Sequence, residues 1–416
     1  MRSRTLVSLA VLLTCLSAAA QPRQVAATGE TQPVVGVGPV VRGMALWNHP
    51  TDPKNSLLLM SDDQAPGLFS YRLDGGPVEQ LPGIARGVDV QEGFPVGGVS
   101  QPVVMVSDGQ QLVGYLIDSS TLRLRFSGLQ RASSGGVVPE SVALYKSPTT
   151  GRVFAFGGSI QGTIQQFEYT ALTDGGATAN VVRTLSVAPR AAAGLLVDDE
   201  NKYLYVAVQN EGIRRFDAEP NGGQTGTLVA DLTSNLSAPL GGLALYRTAS
   251  GGGYLLAVSG DDSIRVFNRA PPHNHLGGVF IAGDGGVDAV TAPRHLVVTE
   301  RALGTLFPQG LVAVHDGAND TNENAKFVPW PALAQAFTPP LGSTDGGADG
   351  GTGGDGGTGA DGGDGGGGGG NLPPGPPITQ PPGEETGCGC SSASMPGLVL
   401  FVLAGALLGS RRRRRA

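Results

Sequence analysis

No cysteine stands between Cys15 and Cys388 in this chain of 416 residues, so no disulfide can hold the sequence between them, and a zinc site built on paired cysteines is excluded. Histidine is scarce as well. His49, His273, His275, His295 and His315 show no metal-ligand spacing and read as surface or turn residues. Charged residues make up only 15% and aromatic residues 6% of the chain. The motifs GxxxxGK[ST], HExxH and GxSxG are all missing, which removes a phosphate-binding P-loop, a zinc-protease helix and a serine nucleophile elbow from consideration. A core of adequate size needs none of these, because a domain of roughly 300 residues buries enough apolar surface on its own.

Long apolar runs are confined to the two ends. At the start, Arg2 and Arg4 precede an apolar stretch from Leu6 to Leu16 and the small residues Ala18, Ala19 and Ala20, the layout of a signal peptide cut after Ala20. Cys15 follows Leu12-Leu13-Thr14, without the small residue that a lipidation site wants. At the other end, Cys388-Gly389-Cys390 is followed by the apolar run Met395–Gly409 and the cluster Arg411–Arg415. That run is shorter than the roughly 20 residues of an ordinary span, and the arginines would hold it at the cytoplasmic face. With Arg2, Arg4 and Arg411–Arg415 set aside, 21 bases face 35 acids, a balance of −14. So acidic a chain is not expected to bind nucleic acid, and cations are favoured partners.

What is abundant is glycine, with 67 residues, and a rhythm. Six hairpins recur: Leu57–Leu73, Val103–Asp118, Val153–Tyr169, Tyr203–Asp217, Tyr254–Asn268 and Leu296–Asp316. Their starts are spaced by 46, 50, 50, 51 and 42 residues. Each has an apolar run of β-formers, a polar turn with Gly, Asn or Asp, and a second, alternating strand. Repeats of roughly 40–50 residues with several strands each are propeller blades, so the expected fold is an all-β, six-bladed β-propeller over about residues 34–338. Gln21–Pro33 reads as a polar lead-in, and Trp47 and Trp330 are expected to pack where the first and last blades meet. Residues 342–387 form a Gly/Asp- and Pro-rich linker that has nothing to bury and is expected to be disordered. The chain should then end in a short membrane helix.

The order of motifs resembles the β-propeller phytases, which are calcium-dependent phytate hydrolases. The resemblance rests on His49-Pro50-Thr51-Asp52-Pro53, Tyr71-Arg72-Leu73-Asp74-Gly75, Leu144-Tyr145-Lys146-Ser147-Pro148, Val197-Asp198-Asp199-Glu200 with Leu204-Tyr205-Val206-Ala207, Ala218-Glu219-Pro220-Asn221-Gly222, His315-Asp316-Gly317 and Lys326-Phe327-Val328-Pro329-Trp330. It implies a phosphomonoester hydrolase acting on phytate or another phosphorylated small molecule, with Ca2+ as cofactor. In such a site, carboxylates hold several calcium ions that bind phosphate and activate water.

This chain departs from the family at many of those positions. The family's opening Asp-Asp-Pro-Ala-Ile-Trp is Arg42-Gly43-Met44-Ala45-Leu46-Trp47, and Asn-Asn-Val-Asp is Arg86-Gly87-Val88-Asp89. Glu-Pro-Tyr-Gly has become Val138-Pro139-Glu140-Ser141, Thr-Glu-Gly is Ala192-Ala193-Gly194, and Asp-Gly-Ile-Asp is Arg294-His295-Leu296-Val297. The remaining candidate metal ligands are Asp89, Glu211, Glu140, Asp261 and Asp262; Asp89 also reads as a cap, and Glu211, Asp261 and Asp262 as turn residues. Arg86 and Arg294 are candidate anion-binding residues. The depletion implies weakened hydrolysis, or else an inactive propeller displayed at the surface to bind an unidentified ligand. The tail resembles the C-terminal sorting tails of myxobacterial surface proteins, which implies export, a membrane contact only through the tail, and Cys388 or Cys390 as the anchored residue. The protein would be a monomer, held at the cell surface or outer membrane or released.

Overall fold

In five of the six hairpins the opening apolar run is the second strand of a blade, covered on both faces by neighbouring blades; in the sixth, Leu296–Thr299 is the innermost strand and Leu311–Asp316 the second. Leu57–Asp62, Val153–Gly158 and Leu311–Asp316 are buried along their whole length, which explains why they are continuous apolar runs and not alternating ones. The computed structural model describes residues 23–342, apart from 65–66, 97–98, 130–131, 134–136, 172–176 and 234. Six antiparallel sheets stand around one axis. Their innermost strands are Val41–Trp47, Val88–Val96, Ser141–Lys146, Ala192–Asp198, Leu243–Arg247 and Leu296–Thr299, which define blades 1 to 6. The stretches read from sequence as signal peptide, linker and sorting tail lie outside the described residues.

Six apolar clusters hold the ring, one between each pair of neighbouring blades. Trp47, Leu57, Leu59, Val104 and Val106 join blades 1 and 2, and Leu58, Met60, Phe69, Leu311 and Phe327 join blades 6 and 1. Burial is thus shared among six interfaces, and no crosslink is needed.

Closure of the ring falls to the first described residues. Gly29–Glu30 pairs antiparallel with Asn324–Pro329 as the outermost strand of blade 6, and Arg23–Ala26 runs parallel to His275–Ala282 as a fifth strand of blade 5. The expected polar lead-in therefore contributes two strands. Glu30 also ion-pairs with Lys326, whose fully buried ammonium is shared with Asp288, with Asp316 at 3.4 Å and with Asn319 at 3.0 Å. At the seam with blade 1, the buried Glu323 accepts the amides of Val40 at 2.8 Å and Val41 at 2.7 Å.

Two expectations are corrected here. The tryptophans do not meet at the closure: Trp47 sits between blades 1 and 2 against His49, whereas Trp330 stacks on Tyr246 of blade 5 at 3.5 Å. Three histidines are interior residues. His49, His273 and His315 are buried and hydrogen-bonded, because each ring satisfies backbone groups that a turn would otherwise leave open.

Candidate active site on the upper face

The inner strands all begin on one face, here called upper, where the turns between second and third strands also lie. Small residues open the strands. A Cβ on Gly87 would come within 2.7 Å of Ser141 Cα, and one on Gly43 within 2.9 Å of the Val88 amide, so only glycine lets the inner strands of blades 1, 2 and 3 approach this closely. Below them lies a constriction of Met44, Val88, Val142, Leu195, Leu243 and Leu296, one residue from each blade. The opening left above it is about 50 Å3.

Around this opening, five carboxylate clusters are closed by arginine. Arg42 meets Asp63 at 2.6 Å, Arg86 pairs with Glu140, and Arg294 pairs with Glu323. Glu211 is held by Arg214 and, at 3.6 Å, by Arg190, and Asp261 is held by Arg265. The Arg214 and Arg190 guanidinium groups keep Glu211 below the usual carboxylate range, with the hydrogen bond from Arg214 contributing most. Asp261 also lies low despite burial, because Ser263, Ser259 and Arg265 bind its charged form. The arginine side chains keep between about a quarter and a half of their surface open, so guanidinium N–H groups remain available on the rim.

The sequence candidates are therefore only partly brought together. Glu140 and Arg86 form one pair, and Arg294 stands on the same rim, donating its backbone N–H to His315 Nδ1 at 3.2 Å. Glu211 and Asp261 occupy the turns of blades 4 and 5. Asp262 is a turn residue in the left-handed conformation, with φ of 65°. Asp89 is elsewhere: one residue past the constriction, it bonds the amides of Val90 at 2.8 Å and Leu144 at 2.7 Å, linking blades 2 and 3. Burial pushes its carboxyl up to about 7, and the charge of Asp199 adds to the shift. Asp198 is a structural partner, bound at 2.8 Å by Nε of the buried Arg269.

Sequence reading missed the partner arginines Arg190, Arg214 and Arg265, together with Asp63 and Glu323. For Arg214 and Arg265 a signal exists, since each follows its acid by three or four residues across a tight hairpin. Glu323 had none, because its partners lie in other strands.

This donor set does not fit a cluster of calcium ions. Among the described residues, no group of three or more His, Cys, Asp or Glu is arranged to hold a metal ion. Five carboxylates around the opening have arginine partners, Asp62 is buried and accepts the Gln64 amide at 2.7 Å, and Glu30, Asp288 and Asp316 enclose the Lys326 ammonium. What the rim can do directly is receive an anion on guanidinium groups.

Comparison with known proteins agrees with the motif order. The family model described as Phytase matches residues 2–345. The 3-phytase of Bacillus subtilis (strain 168) is 29% identical over 326 residues, which cover 75% of this chain and 85% of that protein. Among solved structures, a luciferin-regenerating enzyme aligns with a TM-score of 0.45 and 12% identity, covering 72% of this chain and 95% of its own. BBS1N, solved in complex with ARL6DN, aligns with a TM-score of 0.42 and 11% identity, covering 74% of this chain and 98% of its own. Since the family model spans most of the sequence, the chain belongs to the phytase family.

Proposed function

We propose that this protein receives phosphorylated small molecules of the phytate class on the upper face of the propeller, and that its phosphomonoester hydrolysis is weak. The observation that carries this reading is the pairing of carboxylates with arginine around the channel opening, at Arg42–Asp63, Arg86–Glu140 and Arg294–Glu323. A guanidinium prefers a phosphate dianion, which it can grip with two parallel N–H bonds, and several phosphates on one ring engage several arginines at once. The same pairing stands against calcium-assisted catalysis, because a metal would first have to displace the arginines. Complete loss of turnover, leaving a surface-displayed binding module, is the limit of this reading. The leader and the Cys388/Cys390 tail support export and display at the cell surface or outer membrane, with the propeller acting as a monomer.

The test is a calorimetric titration of phytate into the purified protein. Saturable binding is expected, weakened at least tenfold in an Arg86→Ala, Arg294→Ala double variant, since each lost charged hydrogen bond is worth about 1.5–3 kcal/mol. Absence of binding, or binding indifferent to both substitutions, would sink the proposal.

A further inference from the structure

The residues just above the constriction form a tier of their own, one from each blade: Gly43, Gly87, Ser141, Gly194, Gly242 and His295. Four are glycine, and the close approach of the inner strands keeps them so. A Cβ on Gly194 would come within 3.0 Å of Gly242 Cα, and one on Gly242 within 3.2 Å of His295 Cα. Ser141 is committed to structure, its hydroxyl donating to the Ala192 carbonyl at 3.0 Å. His295, partly exposed at the opening, is thus the one large side chain of the tier, an imidazole in a cup walled by backbone. One residue higher stands the arginine rim, with Arg42, Arg86 and Arg294. Below, the six apolar side chains close the cup off from the lower cavity, a wider space of about 490 Å3.

His295 is held from behind. Its ring meets that of His315 edge to face, with centroids 5.7 Å apart. His315 is fully buried and its Nδ1 accepts the Arg294 amide at 3.2 Å, so its proton stands on Nε2, 3.5 Å from Glu323 Oε1. Glu323 in turn is tied to the Val40 and Val41 amides and to the Arg294 guanidinium. Burial, followed by the neighbouring His315, Arg294 and Arg42, holds the His295 ring well below the usual histidine range. At pH 7 it is therefore a neutral base. Where the family motif Asp-Gly-Ile-Asp has glycine, this chain has that imidazole.

A space of about 50 Å3 admits water. Water in the cup has the rim above it and the imidazole beside it. We propose that His295 is the catalytic base of a metal-independent phosphomonoester hydrolysis, a role that rests on the arginine rim receiving the phosphate. The water oxygen bonds to phosphorus while the P–O bond to the inositol breaks on the opposite, solvent-facing side. The water's proton passes to a ring nitrogen of His295, and the departing alkoxide takes a proton from solvent. Arg42, Arg86 and Arg294 hold the phosphate and meet the charge on its remaining oxygens. No side chain protonates the leaving group, which accords with slow turnover.

The test uses the full-length protein and phytate in EDTA, with phosphate release and calorimetric binding measured side by side. The variants are His295→Gln and His295→Gly, the second matching the other glycines of the tier, and their melting temperatures check that the fold persists. Each is expected to bind phytate within threefold of wild type and to release phosphate at least tenfold more slowly, since a general base ordinarily contributes about 10²–10⁴ in rate. Added imidazole should raise the rate of His295→Gly at least threefold. The wild-type rate should fall as pH drops below about 6.5, and the rates of the variants should not. Phytate binding without EDTA-resistant release, or release at the wild-type rate in both variants, would overturn the role of His295 and leave binding on the rim standing. Absence of phytate binding by the wild type would instead overturn the rim as the phosphate site, and this role with it.

Discussion

Lys326 shows how much a single residue decides in this fold. Its ammonium is fully buried and is met by Glu30, Asp288, Asp316 and Asn319, so removing it leaves three carboxylates without their shared partner. Lys326→Met should cost about 3–5 kcal/mol of stability in chemical denaturation, the range seen when one member of a buried pair is removed. Arg86→Ala acts differently. Arg86 and Glu140 are partly exposed, so the stability change should stay below about 1 kcal/mol while phytate affinity falls. Titration behaviour follows from burial. His295 and His315 both lie below the usual histidine range, chiefly through burial, so their contribution is present above pH ~6.5 and lost as pH falls through their folded-state values. Asp89 works in the opposite sense. Raised to about 7, it contributes stability that is full below pH ~4 and is lost as pH rises through 7. The stability of the wild type relative to Asp89→Asn should therefore decline between pH 5 and pH 8, which thermal melts across that range would check.

At the scale of elements, the hairpins were legible because the second strand of a blade is buried on both faces and carries an apolar run, as in Leu57-Leu58-Leu59-Met60. The two N-terminal strands were not. Arg23–Ala26 and Gly29–Glu30 are short and mostly polar, and their partners lie some 250 to 300 residues away, so nothing local marks them as strands. Their role is nonetheless to complete blade 6 and extend blade 5. Deleting residues 21–31 should lower the denaturant midpoint sharply, because the deletion removes the Glu30–Lys326 pair along with both strand pairings. A midpoint equal to that of the intact chain would show that the ring closes without them. The glycines Gly43 and Gly87 likewise gave no sign in sequence of the close strand approach they permit, since that approach is a contact between blades.

The propeller as a whole has two faces divided by six apolar side chains, Met44, Val88, Val142, Leu195, Leu243 and Leu296. Motif order made the family legible, and the departures from its motifs were visible at Arg42 and Arg294, which stand where the resemblance leads one to expect aspartate, and at Arg86, which stands for asparagine. What those arginines do was not visible, because Asp63, Glu140 and Glu323 reach them from other strands. Placement of Asp89 was hidden for the same reason: its one-residue offset from Val88 puts it past the constriction, toward the lower cavity. In the proposed function these ion pairs take the place of an open calcium site. Phosphate release from phytate by the purified protein, measured with calcium and with EDTA, tests it most directly. Turnover below about 1 s⁻¹, beneath the ordinary enzyme range, is expected, with no difference between the two conditions. Turnover above that level with calcium, abolished by EDTA, would contradict it.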